Sequence, residues 1–259
     1  MAVKKFGGEW TTEKLEILQK YLSAYTTVLR NKPCAARPFR LLYIDAFAGT
    51  GHLDLKSNNC QNTAPYLFPE GETKEAQQFM DGSARVSLKI THPFNQYIFM
   101  EKTAKGCAQL LALRDEFPQL GKKIRVEQGD CNEIIRTICQ QYDWKRTRAV
   151  IFLDPFGMQV DWNTIEQISA TKAMDLWLLF PISAVNRMLT SNGEMPESWA
   201  QKLESFFGTT NWKKRFYSEE RQPSLFDLNK TTIHKDTSFK DIGEFMTELK
   251  DLLSAKEGS

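Results

Sequence analysis

Five short apolar runs alternate with helix-period stretches along this chain. The runs are Leu41-Leu-Tyr-Ile44, Tyr97-Ile-Phe-Met100, Ile124-Arg-Val126, Ala149-Val-Ile-Phe-Leu153 and Met174 to Phe180. Each is short and rich in β-branched or aromatic residues, so each reads as a buried parallel strand. Ahead of them, Leu15, Leu18, Leu22, Tyr25 and Leu29 recur at three- and four-residue steps. That spacing predicts an N-terminal helix over about 11–30, capped by Thr11 or Thr12, with Glu13 in its first turn. Gly82-Ser83 starts another helix, holding Ala84, Val86, Leu88 and Ile90. Further helices are predicted at Thr103 to Phe117, Asn132 to Tyr142, Asp161 to Ile168, Ser183 to Leu189 and Pro196 to Phe207. Asp241 to Leu253 closes the chain with Ile242, Phe245, Met246, Leu249 and Leu253 on one stripe. Asn211 to Lys235 has no clear period and carries two weak strand candidates, Trp212 to Tyr217 and Thr231 to His234. Strands alternating with helices predict an α/β fold, with a mainly parallel sheet and helices on both faces.

The ends of four of these runs share a feature. Ile44 leads into Asp45-Ala-Phe47-Ala-Gly49-Thr-Gly51, and Met100 into Glu101. Val126 leads to Gly129-Asp130, and Leu153 to Asp154-Pro155-Phe156-Gly157. Four acids just past four strands would line the carboxyl edge of one sheet, where open α/β folds bind ligands. The two glycines allow a tight turn and a close backbone approach, with Phe47 inside that turn. From about Asp54 to Asp81 the periodicity is lost. A loop of that length inside a compact domain is a functional insertion, and its exit directly after the glycine turn predicts a lid over the ligand site.

Composition narrows the reading. The 259 residues suit one domain spanning 1–259 with that insertion. The net charge of +2 leaves no overall basic footprint, so a nucleic-acid face would have to be a local cluster. The five cysteines form no CxxC pair and no ligand cluster with histidine, which predicts reduced thiols and no metal site. His52, His92 and His234 stand alone in sequence. With no apolar run of membrane length and no signal-like start, a cytoplasmic protein without membrane attachment is expected.

A ligand touching all four acidic strand ends must be long and rich in donor groups. S-adenosylmethionine fits: its ammonium would meet Asp45, its ribose hydroxyls Glu101, and its adenine amine Asp130. NAD is the competitor. The turn lacks the third glycine of GxGxxG, and Glu101 lies about fifty positions on rather than the usual ~20. Asp154-Pro155-Phe156 offers chemistry suited to an exocyclic amine, a poor nucleophile when conjugated to a base. A carboxylate and a carbonyl can accept its two N–H bonds and orient it, while Phe156 stacks on the flipped base. Against each functional reading stands a plainer one. Asp45 and its glycines would form a bare turn, and Glu101 and Asp130 would be caps. Asp154-Pro155 would simply end a strand, with Phe156 in the core. Trp162 reads as packing, and Asn186 and Arg187 as surface groups within reach of a phosphate. The Trp212-Lys-Lys-Arg215-Phe-Tyr217 cluster mixes cations with aromatics as single-strand binders do, but reads equally as a solvated face.

The turn and the D-P-F-G motif together resemble class I S-adenosylmethionine-dependent methyltransferases that modify exocyclic base amines. The likeness covers about Leu41 to Phe180 and implies a Rossmann-like fold, with Asp45, Phe47, Gly49, Gly51, Glu101 and Asp130 at the cofactor. Asp154, Pro155 and Phe156 would then stand at the target amine of DNA or RNA. Trp10-Thr11, Lys14-Leu15, the 45–51 turn, Asp154-Pro-Phe-Gly-Met158 and Asp175-Leu-Trp-Leu-Leu-Phe-Pro181 are similar to the bacterial three-Cys-motif partner proteins. That resemblance implies association with a separate three-cysteine iron–sulfur protein. It leaves two readings: an N-methyltransferase, or an inactive methyltransferase fold that serves as a binding partner.

Overall fold

The computed structural model describes residues 8–30, 33–34, 37–48, 82–221, 231–235, 242–245 and 247–248. Gly49, Gly51, His52 and the Asp54–Asp81 insertion lie outside them. Of the closing helix predicted over 241–253, residues 242–245 and 247–248 are described, and they are helical. The chain divides into two compact units. The first comprises Met1–Asp154 and Thr171–Leu179, the second Pro155–Ala170 and Phe180–Ser259.

The first unit opens with helix α1 (Gly8–Arg30). It starts three residues ahead of Thr11, so neither threonine is its cap; the breaker in the sequence is the Gly7-Gly8 pair. A short antiparallel pair, β1 (Pro33–Cys34) and β2 (Arg37–Pro38), leads into β3 (Arg40–Asp45). Then come helix α2 over residues 82–88, β4 (Gln96–Glu101), α3 (Ala104–Glu116), β5 (Ile124–Gln128), α4 (Cys131–Gln141), β6 (Thr147–Leu153) and β7 (Met174–Leu178). The five long strands form one all-parallel sheet in the order β5-β4-β3-β6-β7. The fold is α/β and Rossmann-like, as the strand–helix alternation requires.

Strand alternation sorts the core into two faces. Leu41, Tyr43, Tyr97, Phe99, Val150 and Phe152 share one cluster with Leu18 and Leu22 of α1 and Leu110 and Leu113 of α3. Tyr43 sits at its centre, 5.7 Å from the Phe94 ring and 6.4 Å from the Phe99 ring. Leu42, Ile44, Ile98, Met100, Ala149, Ile151 and Leu153 point the other way and are also buried. Both faces are therefore covered, which is why these strands read as unbroken apolar runs.

The second unit holds α5 (Trp162–Ala170), α6 (Ile182–Met188), α7 (Glu197–Phe207), α8 (Trp212–Phe216) and an antiparallel pair, β8 (Tyr217–Arg221) and β9 (Thr231–Lys235). Its core is aromatic: the rings of Phe207 and Phe216 each lie 5.3 Å from that of Phe245. Residues 212–216 are helical, not the strand that 212–217 suggested. Trp212 and Phe216 are four apart and both fully buried, so a helix puts the two on one face. Lys213 and Arg215 point outward and pair with Glu204 at 3.5 Å and Glu248 at 3.2 Å. The aromatics Trp212 and Phe216 face the core while the cations pair with surface acids, although Lys213 Nζ also lies over the Trp212 ring, 5.4 Å from its centre.

Gly208 ends α7 in the left-handed region, with φ of +67°. A Cβ there would lie 2.1 Å from Cδ1 of Trp162. Gly208→Ala should therefore destabilise the second unit by about 2 kcal/mol or more, from backbone strain plus displacement of the indole. A urea midpoint within error of the wild type would show that Trp162 yields without cost.

Candidate functional site

The sheet register places the acids in steps. Asp45 faces Phe99 of β4 and Phe152 of β6. Glu101 and Asp154 lie two residues beyond those partners. Glu101 in turn faces Gln128 of β5, and Asp130 lies two residues further. Each step is about 7 Å along the strand direction, so the acids follow a rising edge outward from β3. The chain runs from β3 to β4 on one side and reaches β6 on the other. That reversal is the topological switch point at which such sheets bind ligands. The loop after β3 is tied to both neighbours: Ala46 N–H donates to Phe152 O at 3.1 Å and Ala48 N–H to Met100 O at 3.2 Å.

Asp45 is fully buried. Ser83 Oγ donates to its Oδ2 at 2.8 Å, and the Phe47 N–H donates to its Oδ1 at 3.3 Å. Burial pushes its carboxyl up to about 7; the Ser83 and Phe47 hydrogen bonds oppose that rise, and the charge of Asp154 adds to it. Burial, with the charge of Asp45, also drives the Tyr43 phenol far upward, so it stays protonated. Both oxygens of Asp45 are thus engaged within the protein. An ammonium reaching it would have to replace the Ser83 hydroxyl.

Asp154 is half-buried at the end of β6. Burial raises its carboxyl to about 6, and Lys14 of α1 lowers it from what burial alone would give. Two neighbouring carboxylates short of water repel each other, so the pair takes up its first proton more readily than a lone aspartate would.

Glu101 is half-buried, and its Oε1 accepts from the Thr103 N–H at 2.7 Å. Its stem lies over the first turn of α3. A Cβ on Gly106 would meet its Cγ at 2.5 Å and its Cδ at 2.7 Å, so only glycine leaves room for this pose. Asp130 is exposed and caps α4, its Oδ1 accepting from Asn132 N–H at 2.9 Å. The capping role is realised there.

In the second unit, Pro155 is buried and Phe156 half-buried, its N–H donating to Gln159 Oε1 at 3.1 Å. Trp162 packs over Gly208, the packing role its sequence suggested. Asn186 Oδ1 accepts from Lys235 Nζ at 2.7 Å, and Arg187 Nε donates to Ser183 O at 3.1 Å. His92 meets Arg30 at 2.8 Å. Sequence reasoning missed three contributors. Ser83 looked like a helix start, Gly106 like an ordinary helical residue, and Lys14 was notable only for its resemblance. Ser83 and Lys14 carry no local signal because their partners are 38 and 140 positions away; Gly106 is five from Glu101, but only the fold lays the glutamate stem over the helix.

An all-parallel sheet with an acid-lined carboxyl edge at its switch point defines a Rossmann-like α/β protein. No family model matches the chain, and no curated protein is significantly similar to it. Among solved structures the chain is similar to the crystal structure of protein LPL1258 of Legionella pneumophila strain Philadelphia 1, family DUF519. The identity is 16%, the TM-score 0.34, and the match covers 92% of this chain and 89% of that one. A likeness at that level carries no argument about activity. Among the described residues, no helix is long and apolar enough to cross a membrane.

Proposed function

We propose that this chain is an S-adenosylmethionine-dependent methyltransferase acting on an exocyclic amine of a nucleic-acid base. The observation that carries the reading is the half-buried Asp154 carboxylate beside buried Asp45 at the sheet's switch point. The donor set fits the cofactor. Glu101 is held rigidly at the second strand end, where ribose hydroxyls would donate to it, and Gly106 keeps that place open. Asp130 stands one strand further out, toward an adenine amine. Gly49 and Gly51 lie outside the described residues, and their turn role rests on the sequence alone. When bound, the cofactor supplies an electrophilic methyl group. Asp154 accepts an N–H of the target amine, fixes its lone pair toward that methyl, and takes up the positive charge that develops on nitrogen. In this reading Pro155 would supply the carbonyl and Phe156 the stacking face read from the motif.

One variant tests the cofactor arm without removing a polar group. Gly106→Ala adds a methyl that displaces the Glu101 carboxyl, while improving helix propensity by about 1 kcal/mol. Affinity for S-adenosylhomocysteine should fall about tenfold with no loss of thermal stability, a loss of about 1.4 kcal/mol in binding. Unchanged affinity by calorimetry would place the ribose elsewhere.

A second reading draws on Asp45. An acid whose two oxygens are both satisfied internally is also what a purely structural turn needs, so the chain could serve as an inactive methyltransferase-fold partner of a three-cysteine iron–sulfur protein. Co-purification with such a partner, without methyl transfer to DNA or RNA in any combination, would favour that reading. Turnover by the isolated chain would remove it.

A further inference from the structure

The amino edge of the same sheet carries a cavity of about 740 Å³. Its lining includes Arg40, Gln96, Arg125, Tyr142, Asp143 and Arg146. Arg40 and Gln96 open β3 and β4, Arg125 lies at the start of β5, and Arg146 directly precedes β6. Tyr142 follows the last turn of α4. Parallel strands bring all these starts to one end, roughly 17 Å along β3 from Asp45. The cavity is therefore separate from the acid edge.

The polar groups here are organised. Arg40 Nη2 donates to Gln96 Oε1 at 2.7 Å, and the Tyr142 hydroxyl donates to the same oxygen at 3.0 Å. The Arg40 guanidinium also lies over the Tyr142 ring, 5.3 Å from its centre. Gln96 and Tyr142 thus fix the fork of Arg40 without neutralising it. Arg125 is paired with Glu127. Among the described residues, neither Arg40 nor Arg146 has a carboxylate within ion-pair distance. Opposing charges are modest. Asp143 lies in the lining, with Oδ1 accepting the Lys145 N–H at 3.1 Å. The C-terminus of α4 adds about half a negative charge. Two arginines outweigh that half-charge and Asp143 together.

We infer that this cavity binds a phosphate monoester, carried by a nucleotide or by the 5′-end of a nucleic-acid strand. A monoester bears close to two negative charges at neutral pH, matching the two arginines without carboxylate partners. Guanidinium forks suit its oxygens bidentately, and the cavity volume falls in the range of small-ligand sites. A bridging phosphodiester, with one charge and two esterified oxygens, matches less well.

Calorimetry of the full chain at low salt tests this with three probes: adenosine 5′-monophosphate, and one short oligonucleotide with either a 5′-phosphate or a 5′-hydroxyl. The monophosphate or the phosphorylated strand should bind, and the hydroxyl strand should bind more weakly. Binding of the free monophosphate points to a nucleotide; binding of the phosphorylated strand alone points to a strand end. Arg146→Gln, whose side chain makes no hydrogen bond within the described fold, should weaken binding about tenfold, and so should Arg40→Gln. Lys20→Gln, the same charge change on α1, should have no effect. Three results would overturn the assignment. They are no binding by either phosphorylated probe, equal binding of the two strands where the free monophosphate does not bind, and Arg146→Gln binding as tightly as wild type. S-adenosylhomocysteine binding should be untouched by Arg146→Gln. A parallel loss would put both ligands in one site and also overturn the inference, whereas absence of cofactor binding in every protein would bear only on the methyltransferase reading.

Discussion

Asp154→Ala is expected to reduce methyl transfer by on the order of 100-fold or more, while S-adenosylhomocysteine binding changes only a few-fold. Removing one positioned electrostatic partner from a water-poor site has that size of effect on rate. The cofactor would be held by the other strand ends, so its binding should survive. Asp154→Asn keeps an acceptor oxygen and the shape of the side chain, and should give an intermediate rate. The pH profile provides a second readout. Burial raises the Asp154 carboxyl to about 6, so kcat/KM should rise through that region as the acceptor ionises. In Asp154→Asn that limb should vanish. Transfer of a labelled methyl group to bulk RNA and to bulk DNA would measure both. Full activity of Asp154→Ala in a working assay would end the amine-orienting mechanism.

Asp45→Asn should make the protein more stable at pH 8 and a poorer binder of cofactor. The unfolded chain has an ordinary aspartate, near 3.9, whereas burial lifts the folded group to about 7. Between those values the folded state holds a proton that the unfolded state has lost. The stabilisation from that proton is complete below about pH 4 and disappears as pH rises through about 7. A shift of about three units corresponds to a loss on the order of 4 kcal/mol. Asparagine keeps an oxygen for the Phe47 N–H and can donate its amide to the Ser83 hydroxyl, so it retains the contacts without the charge. Urea unfolding at pH 5 and pH 8 should show a much smaller difference for the variant, with the residual slope set by Asp154. At pH 8, where Asp45 is ionised, affinity for S-adenosylhomocysteine should drop about tenfold, since an ammonium would lose its counter-charge. Parallel stability curves for the two proteins across that range would show that Asp45 carries no unusual proton.

Most of the acid edge was legible because Asp45, Glu101 and Asp154 directly follow apolar runs and Asp130 follows one at a short glycine turn. A strand end is the one feature of a parallel sheet that sequence marks sharply. The helix caps were legible for the same local reason: Thr103 and Asp130 bond to backbone amides two or three positions away. The α1 start and the 212–216 helix were misplaced. Cap residues recur at several nearby positions, and a five-residue segment is too short to separate period two from period 3.6.

The amino-acid sequence by itself determined the α/β alternation, the five strands, and the acids at four of their ends. Apolar periodicity and chain turns are local properties, written within ten or so residues. Only the tertiary structure decided which strands are neighbours. That order makes β3 and β6 adjacent, and it sets Asp154 beside Asp45 although they lie 109 positions apart in sequence. It also decided that Ser83 closes over Asp45, that Gly106 makes room for Glu101, and that Arg40 and Arg146 share one cavity. The Ser83–Asp45 and Arg40–Arg146 juxtapositions are long-range, fixed by burial of both sheet faces at once; Gly106 and Glu101 are close in sequence, and only the strand–helix geometry lays one over the other. The shifted carboxyls follow from the same cause: a charge is costly only where the assembled fold has excluded water.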